Sequence, residues 1–231
     1  MKNSGCRLRV GNIKAVIFDL DGTLVRLKLD IKNMKSEIIQ KLVRLGIPRE
    51  ILSEKDTIVA MYRKAKAYLE EQKKTELSSK VYDVIVDTAE KYERRAAEVT
   101  TLVEGVDTVL ERLRTIGLKL GLITNNGRTV TNYVLEKFDI KKYFDAIVTR
   151  DDGRTLKPDP SGLILLLSKL EVSPDEALLI GDSIIDILAA KNAGILPIGV
   201  EGGFSTRDEL LRTGAVKVLR RLMDILTILE H

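Results

Sequence analysis

Polar side chains with useful chemistry follow four short apolar runs in this chain of 231 residues. They are, in chain order, two carboxylates, a hydroxyl, a lysine and two further carboxylates: Asp19, Asp21, Thr124, Lys157, Asp182 and Asp186. In an open parallel sheet, ligands bind beyond the carboxyl ends of the strands. If the apolar runs are such strands, we expect these six side chains to meet in one small volume.

The residue types suit phosphoryl transfer. The carboxylate of Asp19 can attack phosphorus and form an aspartyl-phosphate. Asp21 lies two residues later in an extended segment, so its carboxyl group points the same way and can protonate the leaving oxygen, then deprotonate water. Thr124 and Lys157 can donate hydrogen bonds to the phosphoryl oxygens. The predicted catalytic residues are therefore Asp19, Asp21, Thr124 and Lys157.

A divalent metal fits the same pattern. Asp182 and Asp186, together with Asp19, supply the hard oxygen ligands that Mg²⁺ prefers. The ion would offset the repulsion between a carboxylate nucleophile and a phosphate anion. We predict Mg²⁺ as the cofactor.

Backbone amides beyond Asp19 and Thr124 are expected to complete the phosphate site. The residues assigned to substrate or phosphate binding are Gly22, Thr23, Asn125 and Gly105. Gly105 would permit close approach of the backbone to a ligand, although a simple bend explains a glycine there equally well.

Each of these groups also has a simpler structural interpretation. An Asp-x-Asp-Gly run suits a turn, and Thr124 or Asp182 would serve as a helix N-cap. Lys157 would be a solvated loop residue and Asp186 a charge on an exposed helix face. Independent turns and caps, however, give no reason for this order of groups at successive strand ends, and the combination favours a single site.

Glycine and proline divide the chain into two kinds of sequence. Between Gly22 and Gly105 there is one glycine, Gly46, and one proline, Pro48. Apolar residues recur there at steps of three and four, which predicts a bundle of three or four helices. On either side, short apolar runs alternate with helical patterns, which predicts a doubly wound parallel α/β core. Residues 205–208 resemble a capping box that opens one of the later helices.

Four ordered motifs resemble those of the haloacid dehalogenase superfamily, in particular its phosphatases related to phosphoglycolate phosphatase. They are residues 18–24, 123–126, 157–160 and 181–194. The resemblance implies a Rossmann-like core, Mg²⁺ and an aspartyl-phosphate intermediate, with the main-chain carbonyl of Asp21 as a further metal ligand. It also implies that the helical insertion is a small cap that closes over the site and selects the substrate. We thus predict an α/β core of residues 1–25 and 101–231 and a helical cap of residues 26–100.

The resemblance leaves several activities open. A phosphatase acting on a small phosphorylated metabolite is favoured, with phosphoglycolate as the leading substrate. A cation at Arg26 or Lys28 would suit the carboxylate of such a substrate, although both residues are more simply explained as solvated residues at the hinge into the cap. A phosphosugar mutase shares the same acids. A non-enzymatic binding protein on the same fold is disfavoured by the complete set of acids. Asp21 argues against a dehalogenase, and a phosphonatase would need a desolvated cap lysine.

Composition excludes several broad classes. The chain is 44% hydrophobic and 31% charged, so it can bury a core, and no run approaches the ~18 apolar residues of a membrane span. The net charge of +4 is accounted for by four basic residues ahead of Asp19, and aromatic residues are only 4%, so nucleic acid is not an expected partner. The low glutamine content resembles that of thermophile proteins.

The single cysteine bears on the cellular compartment, and the single histidine bears on the type of catalysis. Cys6 has no partner for an internal disulfide, which favours a reducing cytoplasm. His231 is at the end of the chain and leaves no candidate for a histidine-based triad. We expect a monomer or a homodimer.

Overall fold

The computed structural model describes residues 12–153 and 155–229. Inferences from Cys6, His231 and the basic residues Lys2, Arg7 and Arg9 concern positions outside those ranges. In the part of the chain that the structure describes, no helix has both the length and the apolar character to cross a bilayer.

Eight strands are present among the described residues. In chain order they are β1 (Ala15–Phe18), β2 (Val25–Arg26), β3 (Thr101–Leu102), β4 (Lys119–Ile123), β5 (Ala146–Val148), β6 (Ala177–Gly181), β7 (Leu196–Val200) and β8 (Lys217–Leu219). Six of them form one sheet in the order β5-β4-β1-β6-β7-β8, and β2 pairs with β3. Every pairing within the six-stranded sheet is parallel. The predicted doubly wound, Rossmann-like α/β core is confirmed.

The same residues form nine α-helices. They are α1 (Ile31–Arg44), α2 (Ile58–Glu71), α3 (Ser78–Val99), α4 (Val106–Thr115), α5 (Arg128–Lys137), α6 (Ser161–Leu170), α7 (Ile184–Asn192), α8 (Arg207–Thr213) and α9 (Leu226–Leu229). The capping box of α8 is one residue later than the sequence suggested. Thr206 is the N-cap and pairs with Glu209, so Ser205 is not part of the box.

The chain groups into two compact units. One contains the residues up to Arg26, Leu102–Thr124 and the residues from Phe138 onward, and the other contains Leu27–Thr101 and Asn125–Lys137. The second unit includes α5, which the sequence-based division assigns to the core.

In the sheet-containing unit, the apolar runs are buried because the strands are covered on both faces. All four residues of β1 are buried. Leu163, Leu166 and Leu170 of α6 belong to the same cluster of buried residues as Ile17 of β1. A Cβ at Gly121 in β4 would lie 3.0 Å from a methyl carbon of Leu170. The absence of a side chain at this position therefore lets α6 pack closely on the sheet.

The helical unit has its own apolar core. Most of its members come from α1, α2 and α3, with the predicted three- and four-residue spacing, and they include Ile38, Leu42, Met61 and Ile85. α1 and α2 begin at side-chain caps: Asp30 accepts from the backbone N–H of Asn33, and Thr57 accepts from that of Ala60.

Charged side chains also link helices of this unit. The carboxylate of Glu37 in α1 accepts hydrogen bonds from Lys41, from Lys91 and from the Tyr92 hydroxyl. At the C-terminal end of α3, the Nζ of Lys137 in α5 lies 2.8–3.3 Å from three backbone oxygens, those of Ala97, Glu98 and Thr100. A cation at the C-terminal end of a helix interacts favourably with the exposed carbonyls.

Candidate active site

Asp19 is the first residue after the central strand β1, and it is 6% exposed. Its backbone N–H donates to the carbonyl of Ile180 in the neighbouring β6, at 2.9 Å. Phe18, the last residue of β1, is in register with Leu122 of β4 and Ile180 of β6. Groups that follow β4 and β6 therefore lie on either side of those that follow β1, each about 4.8 Å away, the spacing of adjacent strands.

Lys157 is buried between two carboxylates. Its Nζ donates to Asp19 and to Oδ1 of Asp186, the latter at 2.6 Å, and lies 3.4 Å from the carbonyl oxygen of Ile123. The peptide bond between Lys157 and Pro158 is cis. The interpretation of Lys157 as a solvated loop residue is wrong, because a buried ammonium group in this position neutralises charge on two acids at once.

Asp182 follows β6 and is completely buried. The backbone N–H of Phe204 donates to its Oδ2 at 2.6 Å, and the hydroxyl of Thr23 donates to its Oδ1 at 3.5 Å. A Cβ on Gly22, whose φ is +89°, would lie 2.3 Å from Asp182 Oδ2. The glycine of the Asp-x-Asp-Gly turn thus leaves the space that this carboxylate fills.

Asp186 belongs to the first turn of α7 and is 2% exposed. Ser183, and not Asp182, is the N-cap of this helix, and its hydroxyl donates to Oδ2 of Asp186 at 2.5 Å. The two oxygens of Asp186 therefore have different partners, with Oδ2 in the capping box and Oδ1 on Lys157. The simpler interpretations of Asp182 as a cap and of Asp186 as a surface charge are both wrong.

The three acids form a group suited to a metal ion. Among residues 12–153 and 155–229, Asp19, Asp182 and Asp186 each offer a carboxylate oxygen, and these oxygens lie within 4.8 Å of one another. Burial raises the pKa of Asp19 to about 7, since the attraction of Lys157 offsets the loss of solvent only in part and Asp186 adds repulsion.

The same group of buried charges also shifts the pKa values of Asp182 and Lys157. Burial, followed by repulsion from Asp19 and Asp186, raises the pKa of Asp182 to about 8. Burial alone would lower the pKa of Lys157, but the charges of Asp186 and Asp19 together raise it. One lysine does not compensate three buried carboxylates, and their all-oxygen donor set fits a hard divalent cation such as Mg²⁺.

Asp21 and Thr124 come shortly after β1 and β4, and their surroundings differ. Asp21 is half-buried, and its carboxylate is not part of the three-acid group among the described residues. The predicted metal set includes Asp21 through its main-chain carbonyl, not through this carboxylate. Its assignment as acid–base catalyst and as a main-chain ligand stays a prediction. Thr124 is buried, and its backbone N–H donates to Val148 of β5 at 3.1 Å. It lies ahead of α5, which begins at Arg128.

The predicted substrate-binding residues have varied environments. Thr23 directs its hydroxyl at Asp182, as described above. Asn125 directly follows Thr124 and is half-buried. Gly105 has a φ of +79°, and a Cβ there would lie 2.6 Å from the Sδ atom of Met223. The positive φ and the contact with Met223 explain why position 105 is a glycine, with no need to invoke a ligand. The role of Gly105 in substrate binding stays a prediction.

Two contacts of the site were not anticipated from the sequence. One is the approach of Gly203 and Phe204 to Asp182, which joins segments far apart in the chain. The other is Gly181, where a Cβ would lie 2.3 Å from the Cβ of Asp186. The clustering of Gly202 and Gly203 just after β7 was the available signal for the first contact.

Comparison with known proteins agrees with this geometry. Residues 16–200 match the family model described as haloacid dehalogenase-like hydrolase, and the chain belongs to that family. The resemblance drawn from the four motifs is confirmed.

Two curated relatives carry the names of phosphatases. The phosphoglycolate phosphatase of Salmonella typhi is 31% identical over 218 residues, which cover 85% of this chain and 84% of the relative. The pyrophosphatase PpaX of Bacillus velezensis is 35% identical over 131 residues, 57% of this chain and 61% of the relative.

A solved structure from Thermotoga maritima, described as a candidate β-phosphoglucomutase, is similar over 94% of this chain and 99% of its own. Its TM-score is 0.61 at 26% identity.

Proposed function

We propose that this protein is a Mg²⁺-dependent phosphatase that hydrolyses a small phosphomonoester through an aspartyl-phosphate on Asp19. The observation that carries the proposal is the pairing of a buried lysine with Asp19 inside a group of three carboxylates. Such a group holds one carboxylate in a fixed orientation and keeps it close to a site for a divalent cation.

The reaction has two displacements. In the first, a carboxylate oxygen of Asp19 attacks phosphorus, the bond to the leaving oxygen breaks, and the carboxyl group of Asp21 gives that oxygen its proton. In the second, Asp21 takes a proton from water as the water oxygen attacks phosphorus. The bond from phosphorus to Asp19 then breaks, which releases inorganic phosphate and restores both residues.

The other residues bind and orient. The ammonium group of Lys157 holds Asp19 in position and adds positive charge beside the phosphoryl group. Thr124 offers its hydroxyl to a phosphoryl oxygen. Asp19, Asp182 and Asp186 would hold the metal ion, which when bound supplies the charge that screens the anionic substrate from the anionic nucleophile.

Phosphoglycolate is the leading substrate. The support is the similarity to the Salmonella typhi enzyme over most of both chains. The Bacillus velezensis relative makes pyrophosphate a necessary comparison. Arg26, which is exposed at the end of β2, is a candidate partner for a substrate carboxylate.

A phosphosugar mutase is the second candidate, and the Thermotoga maritima structure is the observation that favours it. Both activities use the same nucleophile, but they differ in product. A mutase returns the phosphoryl group to the sugar and yields an isomer, whereas a phosphatase releases inorganic phosphate.

The test is phosphate release from phosphoglycolate, an aryl phosphate, pyrophosphate and several sugar phosphates, with Mg²⁺ and with chelator. We expect metal-dependent release that is lost in Asp19→Asn, a nearly isosteric change that removes the nucleophile. Phosphorus NMR of the sugar phosphates would detect isomerisation. Undiminished release by Asp19→Asn would overturn the mechanism, and isomerisation without release would favour the mutase.

A further inference from the structure

The segment after β7, residues 202–205, makes two hydrogen bonds to Asp182 and one to Ile184, and we call it the Asp182 loop. The backbone N–H of Phe204 donates to the carboxylate Oδ2 at 2.6 Å. The backbone N–H of Ser205 donates to the main-chain oxygen of Asp182 at 3.1 Å. The hydroxyl of Ser205 accepts from the backbone N–H of Ile184, the first residue of α7, at 3.1 Å. The loop is therefore joined both to the acid and to the helix that follows it.

Gly203 allows this approach. A Cβ at this position would lie 1.9 Å from Oδ2, 2.3 Å from Cγ and 2.4 Å from Cβ, all atoms of Asp182. The acid is fully buried and has little freedom to retreat. Any side chain at position 203 would therefore displace the loop, the carboxylate or both.

The contacts fix the orientation of the carboxylate as well as its position. A short hydrogen bond from a backbone N–H to a carboxylate oxygen is charge-assisted and stronger than a neutral one. Phe204 provides this bond to Oδ2, while Thr23 donates to Oδ1 from the opposite segment of the site. With one donor on each oxygen, rotation of the carboxylate is restricted, and the remaining lone pairs have a defined direction.

We infer that Gly203, Phe204 and Ser205 are positioning residues that hold Asp182 in the orientation in which it binds a divalent cation. The inference rests on the proposed function for the identity of the ligand. Residues that hydrogen-bond to metal ligands commonly change metal affinity by ~10–100-fold when they are altered. The Asp182 loop is outside the four motifs in sequence, yet by this reasoning it determines how tightly the metal is bound.

The test uses Mn²⁺ as the probe ion and counts free Mn²⁺ by electron paramagnetic resonance, so that it does not depend on turnover. We compare wild type, Asp182→Asn, Gly203→Ala and Gly153→Ala. The last is a matched control, since Gly153 has a negative φ of −157° and, among the described residues, a Cβ there would meet only an oxygen of Thr155 at 3.6 Å. Gly203→Ala should weaken Mn²⁺ binding by at least about tenfold relative to Gly153→Ala.

Kinetics separates positioning from general damage. If Gly203→Ala displaces the metal ligand, the Mn²⁺ concentration for half-maximal phosphate release should rise by a similar factor, with most of kcat recovered at saturating metal. Equal Mn²⁺ affinities for Gly203→Ala and Gly153→Ala would overturn the inference and leave the proposed phosphatase intact. Failure of wild type to bind Mn²⁺ would overturn both.

Ser205 supplies a milder variant in case Gly203→Ala does not fold. Ser205→Ala keeps the N–H that binds the Asp182 main chain but removes the acceptor of the Ile184 N–H. We expect about a threefold loss of Mn²⁺ affinity, in keeping with one neutral hydrogen bond. Ser205→Thr restores the hydroxyl and should restore the affinity. Equal losses in the alanine and threonine variants, or none in either, would contradict the role of the hydroxyl.

Discussion

Replacing Lys157 with methionine tests the charge balance of the site. The methionine side chain is similar in length, so the change removes the ammonium group with little change in volume. What remains is three carboxylates with oxygens within 4.8 Å of one another and without the lysine. The lysine and its two partners are 2–8% exposed in their side chains, so solvent screens the remaining repulsion poorly.

The expected cost follows from this burial. Removing one member of a buried ion pair destabilises a protein by about 3–5 kcal/mol. Proton uptake by the acids relieves part of the repulsion, because the pKa of Asp19 is already about 7. We therefore expect the lower end, about 3 kcal/mol. For a chain of 150–250 residues, each kcal/mol changes Tm by about 2–4 °C, so the expected decrease is about 6–12 °C.

The assay is thermal unfolding in chelator at pH 7.5, followed by the same measurement with Mg²⁺. Lys169→Met is the control, because Lys169 is an exposed residue in the last turn of α6. We expect Mg²⁺ to stabilise Lys157→Met more than wild type, since the ion would then be the only cation among the acids. A Tm within about 2 °C of the control in chelator would refute this account of the charge balance.

Three further predictions concern stability. Glu37→Gln should lower the free energy of unfolding by about 1 kcal/mol at pH 7. Hydrogen bonds from Lys91, Lys41 and Tyr92 lower the pKa of this carboxyl to about 2, and screening by solvent keeps the expected loss small. Since the folded-state pKa is lowered, this stabilisation is full above about pH 4.5 and is lost as the pH falls towards 2. Urea unfolding of wild type and Glu37→Gln at pH 7 and pH 2.5 tests this, and an equal loss of unfolding free energy at both pH values would contradict it. Lys137→Met should lower the free energy of unfolding by about 1 kcal/mol and speed amide hydrogen exchange in the last turn of α3. Unchanged exchange there would show that the contacts of Lys137 with the carbonyls do not stabilise the helix end. Gly181→Ala should cost about 1–3 kcal/mol in urea unfolding because its Cβ would overlap that of Asp186, and a neutral result would mean that α7 shifts freely.

The parallel sheet was accessible from the sequence because its strands are buried on both faces. Residues 15–18, 146–148 and 196–200 are apolar runs whose bounds coincide with β1, β5 and β7. β8 was not predicted, since it has three residues and begins at an exposed lysine, Lys217. A strand that short has no periodic signal, and only its pairing with β7 defines it.

Helix periodicity identified α5 but not the unit to which it belongs. The stripe that includes Val130 and Val134 predicts a helix there, and the structure has one at Arg128–Lys137. Its grouping with α3 depends on contacts such as those of Lys137 with carbonyls near residue 100. These contacts join positions about forty residues apart, and the spacing of apolar residues within one helix cannot predict them.

For the site, residue type and order sufficed to bring Asp19, Lys157, Asp182 and Asp186 together. Their hydrogen-bond geometry was not accessible. Whether Asp182 or Ser183 caps α7 depends on backbone angles, and the sequence offers both as good N-caps. The approach of the Asp182 loop depends on how β7 ends, which sequence patterns predict poorly.

The hydrogen bond between Val103 and Leu24 has an evolutionary consequence. The N–H of Val103 donates to the carbonyl of Leu24 at 2.9 Å, so the chain that departs after β1 returns beside its point of departure. The helical segment is therefore closed as a loop at the sheet, and the length of a loop has only a logarithmic effect on the entropy of closing it. Natural variation can exchange, extend or shorten that segment while the strands keep their register and the acids their positions. If that segment selects the substrate, as the family resemblance implies, substrate range and the predicted catalytic residues can change independently within a single polypeptide.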